Sequence, residues 1–208
     1  MRSPLFVSLE SQLHTLKGYF IVVRPDYPEY TPEDHAKALS FRLLCSAALE
    51  DYVEKRCLEI ASIGATRIER GQPTSTGRAL ITWNIVRHNA RGYPIQQDDV
   101  LHNLDLIQVA HTAYKQSVRT SHGVSGKDLR MLVYPLGLRD HHVPTILTDL
   151  LDSLSKARDP ASHVYVNRAK TMAEPIAEWR LVEQLLEPLR QMDEDLGIVA
   201  ENFPLPPP

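Results

Sequence analysis

Apolar residues recur at every third or fourth position through most of this 208-residue chain, and this spacing limits the fold more than any other feature. Such a period places apolar side chains along one face of an α-helix. The first stripe consists of Leu5, Phe6, Leu9, Leu13 and Leu16. Further stripes occupy residues 44–60, 98–114, 146–154 and 182–189. With no β-hairpin signal and no internal repeat, the sequence predicts an all-α fold.

Two segments carry the signature of a capped helix start. Thr31 stands three positions before Asp34, and Ser125 stands three positions before Asp128. In a capping box the side chains of two such residues bond to each other's backbone N–H groups. We therefore predict helices that begin just after Thr31 and Ser125. Pro144 predicts a further start, because the first helical position needs no N–H.

Loop signals divide these helices. Residues 71–77 combine glycine, proline, serine and threonine, and they form the clearest loop of the chain. The apolar stretch 80–86 follows, and its periodicity is compatible with either a strand or a helix. Residues 92–97 predict a second break. The tail at 201–208 is rich in proline and can form only extended or disordered structure.

Length and composition favour one globular domain over residues 1–200, since 43% of the residues are hydrophobic. No apolar run approaches the about 18 residues of a membrane span, and the first residues lack the regions of a signal peptide. We expect a cytoplasmic protein without a membrane partner. Cys45 and Cys57 fit neither a disulfide framework nor a zinc site, so we expect both to be reduced and structural.

The strongest functional signal lies where one predicted helix ends and another begins. Arg158 closes the stripe at 146–154, Asp159 is a good N-cap, and Pro160 suits the first helical position. His163 then falls about one turn into the new helix. The N-terminus of a helix attracts phosphate through its free N–H groups and its dipole. The pair Arg158 and His163 thus forms an Arg-x4-His motif at a predicted anion site.

A structural interpretation of the same residues stays open. Arg158 and Asp159 can form a solvated charge pair, and His163 can be a core imidazole, since short motifs arise by chance. The charge distribution gives the functional interpretation weak support. Residues 111–170 contain nine Lys and Arg against five Asp and Glu, whereas residues 171–208 contain two against eight. The motif therefore lies in the basic part of the chain, as phosphate binding requires.

Beyond the motif, three segments and a closing helix resemble the HEPN superfamily ("higher eukaryotes and prokaryotes nucleotide-binding"), and within it the MAE-like branch. The similarity spans roughly residues 35 to 195. It is carried by the helix from Phe41 to Cys57 with its Ser46-Ala47-Ala48-Leu49-Glu50 run, the segment 121–138, the helix pair around Arg158, and Glu178-Trp179.

The resemblance implies an antiparallel helical bundle with additional helices. The Arg-x4–6-His motif is the nuclease signature of that superfamily, often with a polar residue after the arginine, and Asp159 occupies that place. Many members are metal-independent endoribonucleases that act as toxins or antiphage effectors. Others have lost the activity and serve as nucleotide-binding or scaffold proteins. Both functions stay open here, with an antitoxin or another defence protein as an implied partner.

The implied chemistry agrees with the residue types. Cleavage of RNA without a metal or cofactor uses the ribose 2′-OH as nucleophile, so it requires a proton-transfer group and a cation. The pKa of a free histidine, about 6.5, suits the first role, and the donor fork of arginine suits the second. The resemblance implies a homodimer that brings two copies of Arg158 and His163 together across a two-fold axis. Ser162, Tyr165 and Asn167 follow the motif, and we include them with Asp159 as auxiliary RNA-binding candidates.

Three further groups compete for a functional role. Asp140-His141-His142 is similar to the manganese-binding signature of the DHH phosphoesterases, although a polar loop between helices explains it better. His111 lies on an apolar stripe, which is typical of a core histidine. Arg87, His88 and Arg91 form a basic group that can contact an RNA backbone or simply be solvated.

Overall fold

The computed structural model describes residues 2–24, 30–90, 103–158 and 174–201, and within these ranges the protein is all-α. The prediction of an all-α fold is thus confirmed. Two short 3-10 helices, Tyr134–Leu136 and Asp140–His142, stand between the fifth and sixth α-helices. The α-helices are α1 (Pro4–Phe20), α2 (Pro32–Glu69), α3 (Ser75–Ala90), α4 (Asn103–Arg119), α5 (Gly126–Val133), α6 (Thr145–Arg158) and α7 (Pro175–Glu201).

Both predicted capping boxes are confirmed. The Thr31 hydroxyl accepts the Asp34 N–H at 3.2 Å, and the Asp34 carboxylate accepts the Thr31 N–H at 2.9 Å. Ser125 and Asp128 form the same reciprocal pair at the start of α5. These bonds satisfy backbone donors that a helix start otherwise leaves without partners.

The apolar stretch at 80–86 is helical, and α3 starts earlier than the loop signal indicated. Thr74 accepts the N–H of Gly77 at 3.0 Å and so caps a helix that already includes residues 75–77. The predicted loop was therefore too long by three residues, because its serine and threonine belong to a helix start. The predicted break at 92–97 and the tail at 201–208, save Glu201, lie outside the described residues.

Helix α2 is the central element, and the others pack around its length. Helix α7 runs parallel to α2, since Arg42, Arg56 and Arg67 of α2 contact Glu178, Asp193 and Glu201 of α7 in the same order. Helix α4 runs antiparallel to α2, because Ser62 contacts His111 while Glu50 accepts from Gly123 just beyond the end of α4.

Helices α1, α5 and α6 complete the packing. Phe6 of α1 meets Tyr52 of α2 edge to face, whereas His14 lies against Trp179, so α1 runs antiparallel to both α2 and α7. Helices α5 and α6 are antiparallel neighbours, since Gly126 contacts Asp152 and Arg130 contacts Thr148.

One apolar core runs through the bundle and includes side chains from all seven of these helices. Its largest fully buried members include Trp179, Tyr114, Phe6 and Phe41. Cys45 and Cys57 are both free and buried in this core, as the sequence predicted. Burial raises the pKa of each thiol to about 12, so both stay protonated and unreactive at neutral pH.

Candidate functional site

The proposed catalytic motif begins where the description of α6 ends. Arg158 is the last residue of α6, as the apolar stripe predicted, but its side chain lies outside the described residues. His163 and Asp159, with the auxiliary candidates Ser162, Tyr165 and Asn167, also lie outside them. The described residues therefore establish only the end of α6 for this motif, and the pairing of Arg158 with His163 stays a prediction.

The helix that follows this segment is firmly held at its start. Glu178, near the start of α7, forms a buried ion pair with Arg42 of α2, with Arg42 Nε 2.7 Å from Glu178 Oε2. The adjacent Trp179 is covered by His14 and by the ammonium of Lys17, 4.4 Å from the ring centroid. The segment 159–173 thus joins two helices that are both packed into the bundle.

An open pocket of about 590 Å³ lies between α3, α4 and α5. Its volume falls within the about 300–1,000 Å³ that is typical of small-molecule sites. The pocket combines basic and apolar side chains, and no carboxylate is among the described residues that line it. These side chains include Trp83, Arg87, Lys127, Arg130, Met131 and Tyr134.

Neighbouring side chains hold the two arginines of this pocket in place. The guanidinium of Arg87 lies over the ring of Trp83, 5.2 Å from the ring centroid. Trp83 is itself packed edge to face against the buried Tyr114, with the centroids 5.8 Å apart. On the facing helix, Arg130 Nη2 donates to the hydroxyl of Thr148 at 3.3 Å. Both guanidinium groups are therefore oriented before any ligand binds.

The Tyr134 ring is also fixed, because its hydroxyl donates to the carboxylate of Asp140. Partial burial raises the pKa of Tyr134, and the Asp140 carboxylate raises it further. The hydroxyl therefore stays neutral at physiological pH, and Tyr134 itself adds no negative charge to the pocket.

Sequence reasoning identified only Arg87 of this pocket, as part of a basic group with His88 and Arg91. Arg87 and His88 lie on the last turn of α3, whereas Arg91 is outside the described residues. Trp83 lies one helical turn before Arg87, and the other lining residues are about 30 to 50 positions further along the chain. No local motif connects them, because they meet only through the packing of α3 against α4 and α5.

His111 is a partner of Ser62 rather than a catalytic base. The Ser62 hydroxyl donates its single proton to the Leu58 carbonyl at 2.8 Å, so at 3.2 Å it accepts from His111 Nε2. A serine nucleophile would instead donate to the imidazole. His111 thus has a hydrogen-bond partner, as expected, but it is only partly buried and is not the core histidine that the apolar stripe predicted.

The Asp140-His141-His142 run forms a 3-10 turn that caps itself. His142 Nδ1 accepts the N–H of Arg139 at 3.1 Å, and Asp140 accepts from Tyr134. The interpretation as a polar connection between helices agrees with this geometry. Across the parts of the chain that the structure describes, no three His, Cys, Asp or Glu side chains group to hold a metal ion.

No protein-family model, no curated protein and no solved structure matches this chain. Within the described ranges, no helix has the length and hydropathy that crossing a bilayer requires.

Proposed function

We propose that the protein is a metal-independent endoribonuclease of the HEPN type, acting as a toxin or antiphage effector in the cytoplasm. The observation that carries this proposal is the Arg-x4-His motif, with Arg158 at the C-terminal end of α6. An all-α architecture and two buried thiols that do no chemistry are compatible with it. An antitoxin or another defence protein would inhibit this nuclease activity.

In this mechanism His163 takes the proton of the ribose 2′-OH, and Arg158 binds the phosphate as negative charge develops on it. The 2′ oxygen attacks the adjacent phosphorus, the bond to the 5′ oxygen breaks, and a proton goes to that leaving oxygen. A 2′,3′-cyclic phosphate results. The second proton transfer would come from His163 of another copy of the chain, which is why we include a homodimer in the proposal.

The first test compares Arg158→Ala and His163→Ala with the wild type on a mixed-sequence RNA. We expect each variant to lose at least about 10²-fold in cleavage rate, the usual effect of removing one proton-transfer group or charge stabiliser. Arg180→Ala and His122→Ala are matched controls, because they remove an arginine and a histidine that are exposed and do not belong to the motif. These controls should cleave as the wild type does.

Circular dichroism and thermal melting keep this test interpretable. Variants that fold normally and still cut RNA would show that the catalytic assignment is wrong. Variants that unfold would instead favour the core-imidazole interpretation of His163.

A specific observation favours a second function, the binding of RNA or nucleotides without cleavage. The basic pocket of Arg87, Lys127 and Arg130 lies on residues that the motif does not include. A scaffold protein that holds RNA needs such a surface but no acid or base. RNA binding without any cleavage by the wild type, with or without added Mn²⁺, would favour this second function.

A further inference from the structure

We propose that the pocket of Trp83, Arg87, Lys127, Arg130, Met131 and Tyr134 binds one nucleotide unit, with its phosphate on the cations and its base on the apolar side chains. A pocket of this kind selects unpaired strands over duplexes. Where the ligand is an RNA strand, this inference rests on the proposed function; where it is a free nucleotide, it does not.

The three cations identify the anionic part of the ligand. Arg87 and Arg130 both line the pocket with guanidinium forks; Arg87 lies over Trp83 and contacts the Ala113 carbonyl, and Arg130 donates to Thr148. Such forks match the oxygens of a phosphate, and the exposed ammonium of Lys127 adds a mobile charge at the rim. Two guanidinium groups and an ammonium lining one pocket are the donor types that bind a phosphate.

The apolar side chains identify the rest of the ligand. Met131 follows Arg130 on α5 and is 58% exposed, and the rings of Trp83 and Tyr134 line the same pocket. A free phosphate makes no favourable contact with these apolar groups, whereas a base is stabilised by stacking on aromatic and apolar surfaces. A phosphate joined to a flat aromatic ring is the chemistry of a nucleotide.

The size of the pocket favours a single strand over a duplex. The volume of about 590 Å³ suits one nucleotide unit. Bases of a duplex are stacked and paired, so they are not free to enter a pocket, whereas bases of unpaired loops and ends can be splayed out.

The pocket adjoins the helix that leads to the proposed catalytic motif. Gly126, next to Lys127, donates its N–H to Asp152 of α6 at 2.8 Å. Arg158 ends that helix, about 9 Å further along an axis that rises about 1.5 Å per residue. A strand bound at Lys127 would therefore lie on α5, which packs against α6, the helix that ends at Arg158.

The test is fluorescence titration of the full chain with AMP and with a single-stranded 2′-O-methyl oligoadenylate of about eight nucleotides. Its methylated 2′ oxygens cannot act as nucleophiles, so the strand is not cleaved. Trp83 reports the binding, because the second tryptophan, Trp179, is only 2% exposed. We expect saturable quenching that disappears in Trp83→Phe. Lys127→Glu and Arg130→Gln should weaken binding about tenfold or more, while Arg180→Glu, an exposed charge on α7, should not.

The salt dependence of the binding affinity gives a second measurement of how the three cations contribute. Binding of a single strand loses affinity with a log–log slope of about −0.7 per neutralised phosphate, so the one phosphate that the pocket holds should give the wild type about −0.7 and each single variant a smaller slope. Quenching by AMP with the same variant dependence would identify a free nucleotide as a ligand. Quenching by the oligonucleotide alone would identify a strand.

Three results would overturn the inference: no quenching by either probe, variants that bind as the wild type does, or equal binding of an RNA duplex or of inorganic phosphate. Cleavage assays separate this failure from failure of the proposed function. Arg158→Ala and His163→Ala should bind the oligonucleotide normally. Nucleotide binding at the pocket by a protein that never cuts RNA would support the pocket inference and contradict the proposed nuclease activity. RNA cleavage without nucleotide binding at the pocket would support the nuclease activity and contradict the pocket inference.

Discussion

Arg56 and Asp193 form a buried ion pair that joins α2 to α7, with Arg56 Nε 2.8 Å from Asp193 Oδ1. Asp193 has no exposed surface, and it also accepts the N–H and the hydroxyl of Ser3, each at 2.7 Å. The Tyr52 hydroxyl donates to the same carboxylate at 3.0 Å. One carboxylate thus connects α2, α7 and the start of α1.

Arg56→Met should therefore destabilise the fold strongly, because it leaves the Asp193 carboxylate buried without its counter-charge. The expected loss in the free energy of unfolding is about 3–5 kcal/mol, measured by urea titration. Lys55→Met is the matched control. Lys55 is exposed and pairs with Asp51 on the surface, and such a pair contributes about 1 kcal/mol or less.

The double variant Arg56→Met with Asp193→Leu should recover part of this loss, since no charge is then left buried. Equal costs for Arg56→Met and Lys55→Met would contradict the central role of the ion pair.

Gly64 and Gly77 let α2 and α3 approach closely, which leads to a second prediction. A Cβ at Gly77 would lie 2.4 Å from Ile68 Cγ1 and 3.0 Å from the Gly64 carbonyl oxygen. Backbone cannot yield as a flexible side chain can, so Gly77→Ala should cost about 1–3 kcal/mol. In the control Gly18→Ala, a Cβ meets nothing within 4 Å, and the helix should gain about 0.5–1 kcal/mol. Melting temperatures that shift in the same direction for both variants would refute this account.

The helices and their caps could be predicted because their signals are local. Three- and four-residue spacing and the Thr31 and Ser125 boxes each involve neighbours in the sequence. The start of α3 was misjudged, because Ser75 to Gly77 have the composition of a loop. Its helical state depends on the Thr74 cap and on Gly77 packing against α2, and the second of these is a tertiary contact.

The pocket could not be predicted for a related reason. Trp83 and Tyr134 meet across helices that are about fifty residues apart, and Lys127 is visible in the sequence only as part of a capping box. The Arg158 and His163 motif is the reverse case. It is visible in the sequence because it is local, while the contacts that would make it a site depend on residues outside the described ranges.

His111 should titrate below the ordinary histidine value of 6.5. Burial lowers its pKa, nearby Lys115 lowers it further, and Glu69 opposes them in part. The neutral form is therefore favoured in the folded protein, so its contribution to stability is present above about pH 6.5 and is lost as pH falls through the lowered pKa. NMR titration of the imidazole should give a midpoint below that of the urea-unfolded chain. A midpoint equal to it or higher would show that burial is not the dominant influence.

Cleavage should persist in EDTA, because the proposed nucleophile is the ribose 2′-OH rather than a metal-bound water. The products should carry 2′,3′-cyclic phosphate or 3′-phosphate ends, which mass spectrometry of a short defined RNA identifies. A DNA of the same sequence lacks the 2′-OH and should survive. Activity that EDTA abolishes and Mn²⁺ restores would instead indicate a metal site at Asp140, His141 and His142.

Each active site should combine residues of two chains. One imidazole per chain is too few for separate acid and base roles, so we expect a homodimer whose two-fold axis passes close to Arg158 and His163. Light scattering gives the mass of the assembly. Arg158→Ala and His163→Ala should each be inactive alone, and mixing them under conditions that exchange subunits tests whether the sites are shared. Recovered cleavage would show that one chain supplies what the other lacks, whereas a strictly monomeric enzyme that still cuts RNA would eliminate the shared site.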